Sequence, residues 1–134
     1  MRTPDRAEAH GINSIHDYLI LRGVHSEDVA LVLRCCTLRI DRRAIYYAID
    51  GYEYTIDHML DGSGRMGYDM LDVNQALGLS KSRLLAFALA AGDDPICLNI
   101  AERKVIMWLL EEGECIVLSS TLDHFIGMIK AETV

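Results

Sequence analysis

The spacing of apolar residues near the start of the chain is typical of two helices. The polar pair Asn13-Ser14 precedes apolar residues three and four positions apart, and Gly23 can end this first helix. A second helix is predicted over 26–36, because Glu27 and Asp28 would lie in its first turn, where the helix dipole favours acids. The same segment is rich enough in strand-forming residues to be a strand, which stays open as the alternative.

Residues 44–57 are predicted to form a β-hairpin around the Asp50-Gly51 pair. Asp-Gly suits a two-residue type I′ turn, because both central residues of that turn need a positive φ. This turn would collect six apolar or aromatic side chains on one face, through the pairs Ile49–Tyr52, Tyr47–Tyr54 and Ile45–Ile56. The opposite face would then carry Tyr46, Glu53 and Asp57, and we expect it to meet water or a partner.

The second half of the chain is predicted to be an antiparallel meander closed by a helix. A short helix or turn is expected over 71–79, with Val73, Leu77 and Ala76 facing inward. Four apolar runs joined by short turns follow, at 84–90, 96–100, 104–110 and 115–118. We expect Ser120 to cap the last helix, whose apolar stripe would pack on the sheet through Leu122, Phe125, Ile126 and Ile129. Helices, then strands, then a final helix indicate an α+β fold.

The length and composition of the chain are those of one folded domain, which we place at residues 1–134. Hydrophobic residues make up 51% of the 134 positions and charged residues 25%, enough for a packed core under a solvated surface. No apolar run reaches the ~20 residues that a bilayer crossing needs, and the start lacks the apolar centre of a secretory signal. We therefore expect a cytoplasmic protein with four reduced cysteines rather than two disulfide bridges.

The net charge of −7 is unevenly distributed along the chain. Residues 45–80 hold six acids against the single base Arg65, and residues 88–134 hold eight acids against three bases. Such a chain repels nucleic acid and anionic lipid, so we expect neither nucleic acid nor a membrane as a partner. The same charge would steer a basic protein towards the chain, and solubility alone is the alternative explanation.

No motif in the chain points to catalysis, a cofactor or a metal. Its five histidines form no pair at the spacing of a metal site, and its four cysteines lack the CxxC spacing of a zinc site. Asp93 and Asp94 could act as a pair of catalytic carboxylates, but a Gly-Asp-Asp-Pro turn needs such residues for its own geometry. Ser63 lacks the G-x-S-x-G frame of a hydrolase nucleophile. We therefore expect a protein that is not an enzyme and that has no cofactor.

Four motifs of the second half occur in the order found in one protein family. They are Phe87-Ala88 near the end of a strand, Gly92-Asp93-Asp94-Pro95-Ile96 leading to Asn99, Val105 to Trp108 in a strand, and Ser119 to Ile126 in the last helix. Over residues 84–130 the chain resembles the SUKH family, named for the yeast Smi/Knr cell-wall regulator and its bacterial relatives. The first half departs from that pattern, since it lacks the L-P-x-x-[YF] helix start and the N-G-G turn.

The resemblance implies a helix-flanked, largely antiparallel sheet of about six strands, with no catalysis by the domain. Many bacterial members are immunity proteins that bind and block a toxin, often a nuclease, whereas yeast members act as scaffold modules. We therefore expect a monomer or weak homodimer that binds a basic toxin domain, with a scaffold role as the alternative. Tyr46 would be an aromatic anchor among acids, although core packing is the alternative for any aromatic. The partner-binding residues that we predict are Tyr46, Glu53, Asp57, Asp93, Asp94, Glu111 and Glu112.

Overall fold

The computed structural model describes residues 15–37, 44–47, 53–62 and 68–131. Its elements confirm an α+β fold, with helices towards both ends of the described chain. The helices are α1 (Ile15–Leu21), α2 (Ser26–Cys36), α3 (Met70–Ala76) and α4 (Leu122–Met128). The strands are β1 (Ala44–Tyr47), β2 (Glu53–Met59), β3 (Leu84–Ala90), β4 (Pro95–Asn99), β5 (Lys104–Leu109), β6 (Glu114–Ser119) and β7 (Lys130–Ala131). The predicted Asn13-Ser14 cap, the Asp50-Gly51 turn and Ser63 lie outside the described residues.

The described strands form one antiparallel sheet in the order β6-β5-β4-β3-β2-β1-β7. Strands β3 to β6 are the predicted meander, because β3 pairs with β4, β4 with β5 and β5 with β6. Among the described residues the sheet has one strand more than the six expected, since the chain returns after α4 and adds the two-residue β7 beside β1. This last pairing joins the end of the described chain to the hairpin.

The first two helices are confirmed at the predicted positions. Gly23 follows α1 with φ +81°, a left-handed conformation that ends the helix, and its N–H donates to Ile20 O at 3.0 Å. The segment 26–36 is a helix and not a strand, and the side chain of His25 caps it by accepting from Glu27 N at 3.2 Å. The buried residues of α2 are spaced as one helical face: Asp28, Val29, Val32 and Cys35.

The predicted register of the hairpin between β1 and β2 is wrong by one residue. Tyr47 pairs with Glu53 instead of the predicted Tyr54, and Tyr54 pairs with Tyr46. This register leaves five residues between the paired ends, an odd number that a two-residue turn cannot close. In this register Ile56 of β2 is fully buried, and it is paired with β3 as well as with β1, so β2 lies between two strands.

The hairpin prediction placed Asp57 on a solvated face, and the structure does not. Its neighbours Ile56 and His58 pair with Ala90 and Leu89 of β3, so Asp57 is the extra residue of a β-bulge. The bulge breaks the alternation of faces, and the Asp57 side chain is half-buried. Its Oδ1 is closed off from water and has no hydrogen-bond partner among the described residues. Asp57 is therefore withdrawn from the predicted binding surface.

Strand β3 is buried along nearly its whole length, and α4 packs beside it. Phe87 of β3 and Phe125 of α4 are fully buried, and their rings meet edge to face with centroids 5.8 Å apart. The predicted stripe of α4 is confirmed, since Leu122 is buried and both Ile126 and Ile129 are partly buried against the core. The last helix therefore belongs to the core of the fold.

Two details of the helix ends differ from the prediction. Thr121, rather than Ser120, caps α4, because Thr121 Oγ1 accepts a hydrogen bond from His124 N at 3.1 Å. Ala76 of α3 is exposed instead of facing inward. This helix begins one residue earlier than expected, with Met70 fully buried in its first turn.

A side chain of α3 takes the place of a strand beside β3. The last pair between β2 and β3 is Met59 with Ala88, so the start of β3 extends beyond its neighbour. There the fully buried Asn74 continues the ladder, because its Oδ1 accepts from Ala86 N at 2.9 Å and its Nδ2 donates to Ala86 O at 2.9 Å. The same Nδ2 donates to Met70 O at 2.8 Å. Asn74 thus satisfies backbone groups that have no strand beside them.

Candidate functional site

Two neighbouring turns at one end of the sheet carry a group of acids. The first joins β3 to β4 over residues 91–94, and the second joins β5 to β6 over residues 110–113. Asp94 holds the turns together, because its Oδ1 accepts a hydrogen bond from Leu110 N at 3.1 Å. Its carbonyl oxygen accepts from Ala90 N at 2.8 Å, which closes the first turn. We call the acids of these turns and of the first residue of β6 the acidic end: Asp93, Asp94, Glu111, Glu112 and Glu114.

Left-handed residues shape both turns of the acidic end. Gly92 has φ +79° and Asp93 has φ +65° in the first turn, and Gly113 has φ +67° in the second. Glycine adopts such values without steric cost, and aspartate is one of the few other residues that tolerate them. The Gly-Asp-Asp-Pro sequence therefore serves the geometry of its turn, as its pattern predicted, and the Asp93 side chain is exposed.

The two turns contain acids but no base. Residues 91–94 and 110–114 include five acids and neither lysine nor arginine. Four of these acids are exposed, and only Asp94 is half-buried, by its position between the turns. Exposed charges of one sign that lie together create a potential that attracts a surface of the opposite sign.

Three bases lie at the other end of the same strands. Arg83 precedes β3, and Arg103 and Lys104 lie where β4 turns into β5. Strand β3 has seven residues. At about 3.4 Å per residue, its length separates these bases from the acidic end by roughly 20 Å. This distance exceeds the Debye length of about 8 Å at physiological salt, so these bases barely offset the acidic end.

Two acids at this opposite end, Glu27 and Asp28, are already paired with a base. Arg103 Nε donates to Asp28 Oδ2 at 2.8 Å, and Arg103 Nη2 donates to Glu27 Oε2 at 3.1 Å. The hydrogen bonds to Asp28 and then to Glu27 raise the pKa of Arg103 above its ordinary value. This contact joins the start of α2 to the turn between β4 and β5. The charges of Glu27, Asp28 and Arg103 therefore pair with one another within the protein.

An apolar side chain lies among the acids of the acidic end. Leu110 begins the second turn and is 40% exposed, and Trp108 at the end of β5 is half-buried against the core. Apolar and aromatic residues ringed by polar ones are typical of the energetically dominant part of a protein interface. From the sequence pattern Leu110 is predicted to lie in a strand, and Glu114 is not among the predicted binding residues. An apolar residue directly before Glu111 and Glu112 in a turn was the available signal.

The seven predicted residues fall into three settings. Four of them meet in the acidic end: Asp93, Asp94, Glu111 and Glu112. Tyr46 and Glu53 belong to the hairpin, whose backbone reaches the same end of the sheet, because Ile56 pairs with Ala90 directly before the first acidic turn. The expectation that they share one face is wrong, because the observed register pairs Tyr46 with Tyr54 and Glu53 with Tyr47. Asp57 lies in the bulge with its Oδ1 enclosed and is excluded.

All four cysteines are free. Burial raises the pKa of Cys35 and of Cys97 to about 12 and the pKa of Cys36 to about 11. These three thiols therefore stay protonated near neutral pH and are poor nucleophiles. Cys115 is the exposed cysteine, on β6.

Within the described residues, no three His, Cys, Asp or Glu side chains lie close enough to share a metal ion. None of the described helices has both the length and the hydropathy needed to cross a bilayer. Comparison of the chain with family models, with curated proteins and with solved structures finds no match. The acidic end is therefore the feature from which a function can be inferred.

Proposed function

We propose that the protein is a non-catalytic binding domain whose acidic end recognises a basic surface on another protein. The observation that supports this proposal is the hydrogen bond of Asp94 to Leu110, which joins two turns with five acids and no base into one surface. An exposed leucine in the same surface adds the apolar contact that a charged patch alone lacks.

Folding stability gives no reason to gather these acids in one place. Exposed ion pairs contribute only about 0–1 kcal/mol each, and exposed like charges side by side are unfavourable. Solubility requires net charge, but it does not require that four exposed acids share one end of a sheet while bases lie at the other. A gain in association rate with a basic partner explains the grouping, because a local field guides the encounter.

The resemblance to the SUKH family identifies the partner that we propose. In that family the bacterial members are typically immunity proteins, so the partner would be a toxin domain, and a nuclease would supply the required basic surface because it binds an anionic substrate. The alternative is a scaffold module of the same family. A scaffold would show several weak partners and no toxin gene beside its own.

The immunity role requires a toxin gene beside the gene of this chain, and a neighbourhood without one would refute that role. The experiment measures association of this chain with the toxin domain of that neighbour across a salt series. The Debye length falls from about 30 Å at 0.01 M to about 8 Å at 0.15 M salt, so the association rate should drop at least tenfold over that range. The variant Glu111→Lys/Glu112→Lys should lose most of the salt dependence and associate at least tenfold more slowly. Its melting temperature should stay near that of the wild type, because both side chains are exposed.

The matched control is Glu102→Lys/Asp123→Lys, which makes the same change of net charge at the opposite end of the sheet. Both residues are exposed, and this variant should associate within about twofold of the wild type. An association rate that ignores salt, or equal losses in the two variants, would refute recognition through the acidic end. Failure of co-expression to protect cells from the toxin domain would refute the immunity role.

A further inference from the structure

A groove lies between α1 and the segment that leads from α3 into β3. Its volume is about 600 Å³. This size is within the roughly 300–1,000 Å³ of ligand pockets. Two leucines, a tyrosine, a glutamine and two serines line it together with Arg22 and Lys81. The groove is thus large enough for a small organic ligand or a few residues of a peptide.

The charge of this groove is opposite to that of the chain as a whole. The described residues of its lining include two bases and no acid, although the net charge of the protein is −7. No carboxylate among the described residues forms a salt bridge with Arg22 or Lys81. Both positive charges therefore remain available to an anion.

The protein holds Arg22 in place with neutral groups. Arg22 Nη1 donates to Tyr18 Oη at 2.7 Å, and Nη2 donates to Ser82 O at 3.1 Å and to Leu84 O at 2.6 Å. The guanidinium also lies over the Tyr18 ring, with its central carbon 5.6 Å from the ring centroid. These contacts fix the position of the cation before a ligand binds, which lowers the entropy cost of binding.

Apolar side chains occupy the rest of the groove. Leu21 and Leu71 both line the groove, and Leu21 is 73% exposed whereas Leu71 is buried. An exposed leucine gains free energy when a ligand covers it, at about 25 cal/mol per Å² of apolar area removed from water. A small inorganic anion would leave this apolar surface wet, and a neutral apolar ligand would cover the two cations without a counter-charge.

We propose that this groove binds an amphipathic organic anion, a carboxylate carried on an apolar body. The carboxylate would lie at Arg22 and Lys81, and the apolar body would cover the exposed Leu21. The groove is at the start of β3, roughly 20 Å from the acidic end, so it is a separate site that binds independently of the proposed basic partner.

The test titrates the protein with 8-anilinonaphthalene-1-sulfonate, a fluorescent apolar anion, and then displaces the probe. Wild-type protein should enhance and blue-shift the fluorescence, and Lys81→Glu should weaken binding of the probe at least fivefold. The matched control is Lys104→Glu, which makes the same charge change at an exposed lysine outside the groove and should stay within twofold. A thermal melt of each variant confirms that the fold is kept.

Displacement distinguishes the chemistry and the source of the ligand. Hexanoate should displace the probe at least tenfold better than hexanamide, and a peptide with a free carboxyl-terminal leucine should do so better than its amide. Tighter displacement by hexanoate identifies a small carboxylate as the ligand, and tighter displacement by the peptide identifies a chain terminus. Equal displacement by acid and amide, or equal effects of Lys81→Glu and Lys104→Glu, would overturn the proposal. Glu111→Lys/Glu112→Lys should leave the titration unchanged, so this result is independent of the test of the acidic end.

Discussion

Replacement of Asn74 by leucine removes a side chain that acts as a piece of strand beside β3. Leucine has the same branched arrangement of heavy atoms, but its methyl groups are larger than the amide oxygen and nitrogen, and it has no amide. The substitution therefore leaves Ala86 N and Ala86 O, which now bond to Asn74 at 2.9 Å each, without partners in the core. The hydrogen bond from Asn74 Nδ2 to Met70 O is lost as well.

The loss of stability follows from the two backbone groups of Ala86 that would lack hydrogen-bond partners. A buried backbone donor or acceptor without a partner costs about 1–3 kcal/mol, so the two groups of Ala86 cost roughly 2–6 kcal/mol together. A domain of this size is stable by only about 5–15 kcal/mol. Each lost kcal/mol lowers the melting temperature by roughly 3–5 °C, so Asn74→Leu should melt roughly 6–30 °C below the wild type.

Urea unfolding followed by circular dichroism measures this loss, with Gln75→Leu as the matched control. Gln75 is the next residue of α3 and is exposed, so its substitution should change the free energy of unfolding by less than about 0.5 kcal/mol. If Asn74→Leu loses less than about 1 kcal/mol, the amide of Asn74 does not stand in for a strand and the reasoning fails.

Asn74→Asp adds a dependence on pH with a defined sign. A carboxylate at this position would face the carbonyl oxygens of Met70 and Ala86, which now accept from Nδ2. Burial and these carbonyls would raise the pKa of the new carboxyl in the folded state above its unfolded value of about 3.9. Its stability should therefore be greatest below about pH 4, where it is protonated in both states, and should fall as pH rises towards neutrality, relative to the wild type at each pH. A difference that does not change with pH would contradict the enclosed position of this side chain.

Two further predictions concern the core and the thiols. Phe125→Ala removes a fully buried ring that meets Phe87 edge to face, so it should lower the free energy of unfolding in urea by about 3–5 kcal/mol. Asp123→Ala, at an exposed residue of the same helix, should change it little. An unchanged unfolding transition of Phe125→Ala would show that α4 is not docked. A dithiobis-nitrobenzoate assay at pH 8 should find one fast-reacting thiol in the native protein, because Cys115 is exposed while burial raises the pKa of the other three cysteines. Cys115→Ser should leave no fast-reacting thiol. A second fast-reacting thiol would contradict the burial of Cys36.

The order and type of most elements follow from local patterns in the sequence. The first two helices of the structure are predicted by the helical spacing of apolar residues, by a glycine at the end of α1 and by acids in the first turn of α2. Apolar runs separated by short turns predict the meander of β3 to β6. These signals are sufficient because each depends on residues a few positions apart.

The register of the hairpin and the place of Asp57 were decided by other strands. A local rule for Asp-Gly turns predicted Tyr47 opposite Tyr54, but β2 also pairs with β3, and the bulge at Asp57 is a property of that second pairing. The turn rule considers only the two strands of the hairpin, whereas β2 lies between β1 and β3 in the sheet. The sequence of the hairpin by itself gives no information on how β2 pairs with β3.

The acids were visible in the sequence, but their assembly into one surface was not. The Asp94 to Leu110 hydrogen bond spans sixteen residues, the amide of Asn74 reaches twelve residues along the chain to Ala86, and Arg22 donates to a carbonyl sixty residues away. Such contacts depend on strand order and on the packing of helices against the sheet, which local propensity does not encode. The sequence by itself determined the elements and the supply of charge, and the tertiary structure decided which charges meet each other, which are paired within the fold and which face solvent.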